Sequence, residues 1–161
     1  MKDGELSSMP LAELRAERDN LRAEEDAVSF VRRLAQGRVD LVTAVQDHRK
    51  SDGTGSVADI IRSGVGSAPS TGSSRPPRDT EVAADHPLME EFERLSDRLG
   101  FDDMAELDLE SLAALGRGLA EFETEMSARR RDLFDRIDAL TAELVRRYRD
   151  GDASVDSLLQ G

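Results

Sequence analysis

The chain has 161 residues, with 34 acidic against 22 basic side chains, a formal net charge of −12 and no cysteine. A balance of that sign repels nucleic-acid phosphates and anionic membrane surfaces, which excludes direct nucleic-acid and membrane binding and favours a basic protein partner. Without cysteine there is neither a disulfide framework nor a thiolate metal site, and 4% aromatic residues beside 35% charged ones favour long solvated helices over a thick globule.

The first element is predicted to open near Ser8, a capping residue, with Pro10 in the first turn, where its missing donor costs little. A helix follows to about residue 48. Its Leu14, Leu21, Val28, Ala35 and Val42 recur every seven residues, with Leu11, Val31 and Val39 beside them, which is the seam of a coiled-coil-like packing interrupted only by Gly37. Residues 51–55 break the helix, 57–62 fit one amphipathic turn, and 63–85 are rich in Ser, Gly and Pro. This stretch has too few apolar groups to offset ordering entropy and is expected to be a flexible linker. A short helix over 87–99 places Leu88, Phe92, Leu95 and Leu99 on one face and is stopped by Gly100. Residues 101–107 read as a turn, Asp108 caps a second long helix running to about Arg149, and Gly151 ends it. The tail after Asp152 carries Val155, Leu158 and Leu159, enough for a short docking helix. The expected organisation is therefore 8–50 as a first long helix, 51–86 as linker, and 87–161 as short helix, second long helix and tail. His48 and His86 lie in unrelated contexts without metal-ligand spacing and are expected to be solvated. No apolar run is long enough for a bilayer span and the amino terminus lacks the pattern of a signal peptide, so a cytoplasmic location is expected.

A polar stripe on the first long helix recurs on the second. Glu25, Ser29, Arg32, Gln36 and Asp40 correspond, at one constant offset, to Glu123, Ser127, Arg130, Phe134 and Asp138. Steps of four, three, four and four residues keep such a set within roughly 80° on one helix face. Apolar positions repeat in the same register: Leu14 with Leu112, Leu21 with Leu119, Val28 with Met126, Val39 with Ile137 and Val42 with Leu140. The polar stripe borders the apolar one, so packing the two seams together brings charged groups of both helices into partial desolvation. Each then needs a partner, because a buried unpaired polar group costs roughly 1 to 3 kcal/mol. Either they pair across the helices or a ligand completes them.

The connection is long enough for parallel or antiparallel packing. In the antiparallel case Arg32 is expected to face Arg130, and the carboxylates of Asp40 and Glu123, and of Glu25 and Asp138, to meet. A dyad-symmetric anionic ligand with donors at its ends relieves that conflict. Arginines hold a purine's O6 and N7 or a phosphate, and carboxylates accept from guanine N1 and N2. Cyclic di-GMP has two guanines, two phosphates and a two-fold axis. A Gly-rich phosphate loop after a strand, a metal cluster and a nucleophile beside a base are not found in the sequence, so enzymatic chemistry is the weakest reading. A structural or scaffolding coiled coil without a small ligand is the alternative to a ligand-binding regulator.

The spacing E-x3-S-x2-R-x3-Q-x3-D, complete from Glu25 to Asp40, resembles the ligand motif of RsiG-type anti-sigma factors of actinobacteria, and the resemblance extends to Arg146-Arg147-Tyr148-Arg149-Asp150-Gly151. It implies an all-α fold in which the motif-bearing helices form a long antiparallel hairpin or coiled coil with a short helix between them. It also implies binding of cyclic di-GMP as an associated dimer, without metal, and with it capture of a sigma factor of the WhiG, sporulation or flagellar class. The residues it assigns to ligand are Glu25, Ser29, Arg32, Gln36, Asp40, Glu123, Ser127, Arg130 and Asp138. Phe134 departs from the Gln of the motif and is left unassigned, since the ring fits either stacking on a base or turning into the core.

Overall fold

The computed structural model describes residues 3–51, 60, 86–149 and 151. The expected linker, except Ser51, Ile60 and His86, and the expected helix of the tail lie outside the described residues. Those described form α1 (Asp3–Ser8), α2 (Leu11–Lys50), α3 (Pro87–Arg98) and α4 (Leu109–Arg149), and no strand occurs among them. The fold is an all-α hairpin of two long helices with a short helix between them.

Local chemistry sets the helix ends. His86 is the N-cap of α3 rather than a merely solvated residue: its Nδ1 accepts from the Leu88 backbone N–H at 3.2 Å, with Pro87 in the first turn. At the other end Gly100 takes φ +76°, its N–H donates to the Asp97 carbonyl at 3.0 Å, and the Phe101 N–H donates to the Ser96 carbonyl at 3.0 Å. These two bonds close the α3 terminus and need a residue free to adopt the left-handed region. Asp108 caps α4 by accepting from the Ser111 N–H at 2.7 Å, and that bond holds its carboxyl below the ordinary range. The amino terminus differs from expectation. Ser8 is not the cap of the first long helix but the last residue of α1, and α2 begins only at Leu11.

The chain divides into two compact units. A terminal unit joins Met1–Asp26 to Ala128–Gly161, and a middle unit comprises Ala27–Ser127. In the terminal unit Leu6, Leu14 and Leu21 are buried, as are Leu133, Ile137, Leu140 and Leu144 of α4. The pairing is antiparallel: Arg15 donates to the Tyr148 hydroxyl, Glu17 pairs with Arg136, and Glu24 with Arg129, so rising numbers in α2 meet falling numbers in α4. Arg147, 8% exposed, ties down α1 by donating to the carbonyls of Leu6 at 2.7 Å, Ser7 at 3.0 Å and Met9 at 2.6 Å, and Glu143 accepts from its Nε at 2.8 Å. Carbonyls left over at a helix end are thus matched by a cation, a favourable position in the helix dipole.

In the middle unit Val28, Val31, Ala35, Val42 and Val45 are buried together with Leu112, Leu115, Leu119, Phe122 and Met126. The same antiparallel sense holds: Arg32 pairs with Glu123, Gln46 donates to the Leu112 carbonyl at 2.9 Å, and Arg49 donates to the Leu107 carbonyl. Helix α3 lays Leu88 and Phe92 into this core, where the Phe92 and Phe122 rings stand 5.5 Å apart. Arg38 clamps it from outside. Its guanidinium lies 4.4 Å from the Phe92 ring and 4.5 Å from the Phe101 ring, and its Nη2 donates to both carboxylate oxygens of Glu93 at 2.8 and 2.9 Å. Packing is close enough that a Cβ at Gly118 would stand 2.6 Å from Leu99 Cδ1.

Candidate ligand-binding site

In the middle unit the motif begins with Ser29, 7% exposed, and proceeds along α2 through Arg32, Gln36 and Asp40, while α4 contributes Glu123 and Ser127. Arg32 Nη1 donates to Glu123 Oε1 at 3.1 Å and, at the limit of hydrogen bonding, to Gln36 Oε1 at 3.5 Å. The same Glu123 oxygen accepts from the Ser127 hydroxyl at 2.9 Å. Arg32 Nε is buried and has no hydrogen-bond partner. An orphan donor of this kind costs about 1 to 3 kcal/mol, and Nη1 of Arg38, at the clamp on α3, is a second one, so the site rests on the motif geometry and not on the orphan alone. Asp40 is exposed and makes no ion pair or side-chain hydrogen bond among the described residues.

In the terminal unit Glu25 of α2 pairs with Arg130 of α4, and α4 also carries Phe134 and Asp138 of the motif. Arg130 Nε donates to Glu25 Oε1 at 2.9 Å, and the arginine Cζ lies 4.7 Å from the centre of the Phe134 ring. Phe134 is 37% exposed: the ring flanks the arginine instead of entering the core. Asp138, like Asp40, is exposed without an ion pair among the described residues.

The like-charge contacts expected from the sequence do not form. Glu123 engages Arg32 and Ser127 rather than Asp40, and Glu25 engages Arg130 rather than Asp138. The reason is register. Arg32 lies opposite Glu123, one heptad before the arginine it was expected to face, and Arg130 lies opposite Glu25. Because the motif sets its glutamate seven residues ahead of its arginine, an antiparallel pairing shifted by that heptad converts repulsion into two salt bridges. Both are partly exposed, with side chains 22% and 26% exposed in one and 39% and 15% in the other, and exposed pairs of this sort contribute about 0.2 to 1 kcal/mol. They position the arginines more than they stabilise the fold.

Each arginine therefore enters the site half-matched. Arg32 keeps Nε and Nη2, the side-on edge of the guanidinium, without a hydrogen bond among the described residues, and Arg130 keeps Nη1 and Nη2, the end-on edge. Such an edge suits two adjacent acceptors on one planar group. The exposed carboxylates of Asp40 and Asp138 add acceptors on the same helix faces. Among the described residues no group of His, Asp or Glu is arranged to hold a metal ion, and no helix is long and apolar enough to cross a membrane. The open depression along Arg117, Ala120, Glu121 and Thr124 contains none of the motif residues.

A profile of the RsiG-like family matches residues 2–64 and 100–161, which takes in both motif copies and both long helices. The chain belongs to the RsiG-like family. Membership points to an anti-sigma factor, hence to a regulator with a sigma-factor partner rather than an enzyme. No curated protein matches the chain. The family match omits residues 65–99, so α3, with the Phe92 and Glu93 that Arg38 engages, lies outside the matched residues, whereas Arg38 itself lies within them.

Two structurally important arginines escaped sequence reasoning. Arg147 stands in a run with Arg146 and Arg149, and its charge pattern does not distinguish the buried member from the exposed ones. Arg38 follows Gly37 with no spacing that links it to Phe92 or Phe101. Phe134 did carry a signal, since it breaks the motif at a position that the other copy fills with an amide.

Proposed function

We propose that the protein is a cyclic di-GMP-responsive anti-sigma factor that captures a sigma factor of the WhiG or flagellar class and represses its transcription. The observation that carries this reading is the pair of repeat-related arginines, each fixed by a glutamate of the opposite long helix and each left with one edge of donors unmatched. In this reading Arg32 and Arg130 hold guanine O6 and N7 or a phosphate. Asp40 and Asp138, with Glu25 and Glu123, accept from guanine N1 and N2, and Ser29, Ser127 and Gln36 complete the polar contacts. Two repeat-related sets suit a ligand that is itself two-fold and that binds as an associated dimer. The buried orphan nitrogen of Arg32 fits this chemistry, because an acceptor there removes a standing desolvation cost. The acidic surface then serves the partner: a net charge of −12 covers basic, DNA-contacting surfaces of a sigma factor in the cytoplasm of a sporulating actinobacterium.

Isothermal titration calorimetry with cyclic di-GMP, in the presence and absence of a WhiG-class sigma factor, tests the reading. Saturable heat that disappears in the double variant R32A/R130A supports it. Absence of heat under both conditions leaves the salt bridges as the fittings of a scaffolding coiled coil.

A further inference from the structure

The two motif copies differ at the residue four positions after the arginine, and the structure turns that difference into two kinds of arginine. Gln36 presents an amide oxygen to Arg32 Nη1 at 3.5 Å, so the first arginine is contacted on its edge. Phe134 instead lies under the guanidinium of Arg130, with Cζ 4.7 Å from the ring centre. Glu25 takes the Nε edge of Arg130, which leaves the Nη1–Nη2 end pointing away from the glutamate. An arginine held by its face and by Nε keeps its terminal fork pre-organised for two adjacent acceptors, at little rotamer cost on binding.

The exposure of the ring adds the second half. Phe92 and Phe122 are buried at 0% and 6%, whereas Phe134 stays 37% exposed on the polar stripe beside Asp138. A single exposed apolar side chain by itself means nothing. Here, however, it occupies a motif position, contacts the motif arginine and leaves aromatic surface open next to the donors of that arginine. Nucleobases are recognised by this combination of a fork on one edge and an aromatic ring on the face.

Resting on the cyclic di-GMP reading above, we propose that Phe134 is a specificity-determining residue of the terminal-unit cluster, where its ring stacks on a guanine and orients Arg130 toward it. The two clusters are consequently unequal. The Arg130 cluster selects a planar aromatic base by stacking, and the Arg32 cluster, with Gln36, selects by hydrogen bonds alone.

The chain has no tryptophan, so Phe134→Trp introduces a single fluorescent reporter at the position in question. Titrating F134W with cyclic di-GMP is expected to quench the indole emission saturably, at the same concentrations at which calorimetry on this variant registers heat. In the Arg32→Ala background, which isolates the Arg130 cluster, Phe134→Leu is expected to weaken ligand binding roughly tenfold or more, the loss that removal of one base–aromatic stack produces. Phe134→Tyr in the same background is expected to retain the affinity, because the aromatic face is kept. A merely space-filling role predicts the reverse pattern, with Leu tolerated as well as Tyr, and that result overturns the proposal, as does unchanged emission of F134W while heat shows ligand bound. Parent protein without heat overturns the ligand reading itself, and the two failures are therefore distinguishable.

Discussion

Two largely buried arginines, one in each unit, are treated in opposite ways. Arg147 in the terminal unit has its donors matched: three backbone carbonyls at the end of α1 and the Glu143 carboxylate surround it. Arg32 in the middle unit is paired through one nitrogen while its Nε is buried with no acceptor. A guanidinium with a partner at each of its three nitrogens belongs to the architecture, because its donors are already engaged in holding the chain. A partly matched one carries a desolvation cost that a ligand can remove. Under the proposed function the contrast separates the residue that holds the fold from the residue that binds, although both are arginines on long amphipathic helices.

The sharpest way to break this comparison is to remove each arginine in turn. Arg147→Ala leaves the carbonyls of Leu6, Ser7 and Met9 without their charged donor, and is expected to destabilise the protein by about 3 kcal/mol in urea unfolding, with Arg147→Lys recovering only part of it. Arg32→Ala is expected to cost about 1 kcal/mol or less in the same measurement, since its salt bridge is partly exposed and an orphan donor leaves with it. Its effect appears in ligand binding instead, weakened by about 1 to 3 kcal/mol in calorimetry. Equal losses of stability in the two variants would erase the distinction between architecture and site.

Smaller changes sharpen it. Gly37 adjoins Gln36 on α2, and a Cβ there meets nothing within 4 Å. Gly37→Ala should therefore raise the unfolding free energy by about 0.5 to 1 kcal/mol through helix propensity alone, with ligand affinity unchanged. Unfolding curves that show a loss instead would reveal a need for glycine on that face. The anchor also has a pH signature. Arg146 and Arg147 donate to Glu143 and hold its carboxyl at about 2, below the ordinary 4.5. A depressed folded-state value means that the corresponding stability is present above pH 4.5 and is lost as pH falls toward 2. Melting temperatures of the parent should fall across that window, and Glu143→Gln should show a shallower decline there; an unchanged slope in that variant would remove Glu143 from the anchor.

Much of the fold was legible because it is periodic. The heptad of Leu14, Leu21, Val28, Ala35 and Val42 is buried throughout, each at 3% or less, and its counterparts Leu112, Leu119, Met126, Leu133 and Leu140 are buried as well. Helix ends were legible for the same local reason: the left-handed Gly100 and the Asp108 cap act within a few residues of themselves. Helix α1 was not legible, because six residues carry too little periodicity and its carbonyls are matched by an arginine from the far end of the chain. The same holds for the clamp of Arg38 on Phe92 and Phe101, an interaction between residues that no local pattern connects.

By itself, then, the sequence determined the two long helices and α3, the apolar seams, the duplicated polar stripe and hence the side chains of the candidate site, all of which depend on spacing along one helix. Only the tertiary structure decided who pairs with whom. A heptad seam satisfies its burial equally well after a shift of seven residues, so spacing cannot choose between Arg32 opposite Arg130 and Arg32 opposite Glu123. The observed register places Glu123 against Arg32 and Glu25 against Arg130, contacts between residues far apart in the chain that no period along a single helix encodes, and it leaves the aromatic ring of Phe134 beside the second arginine instead of in the core.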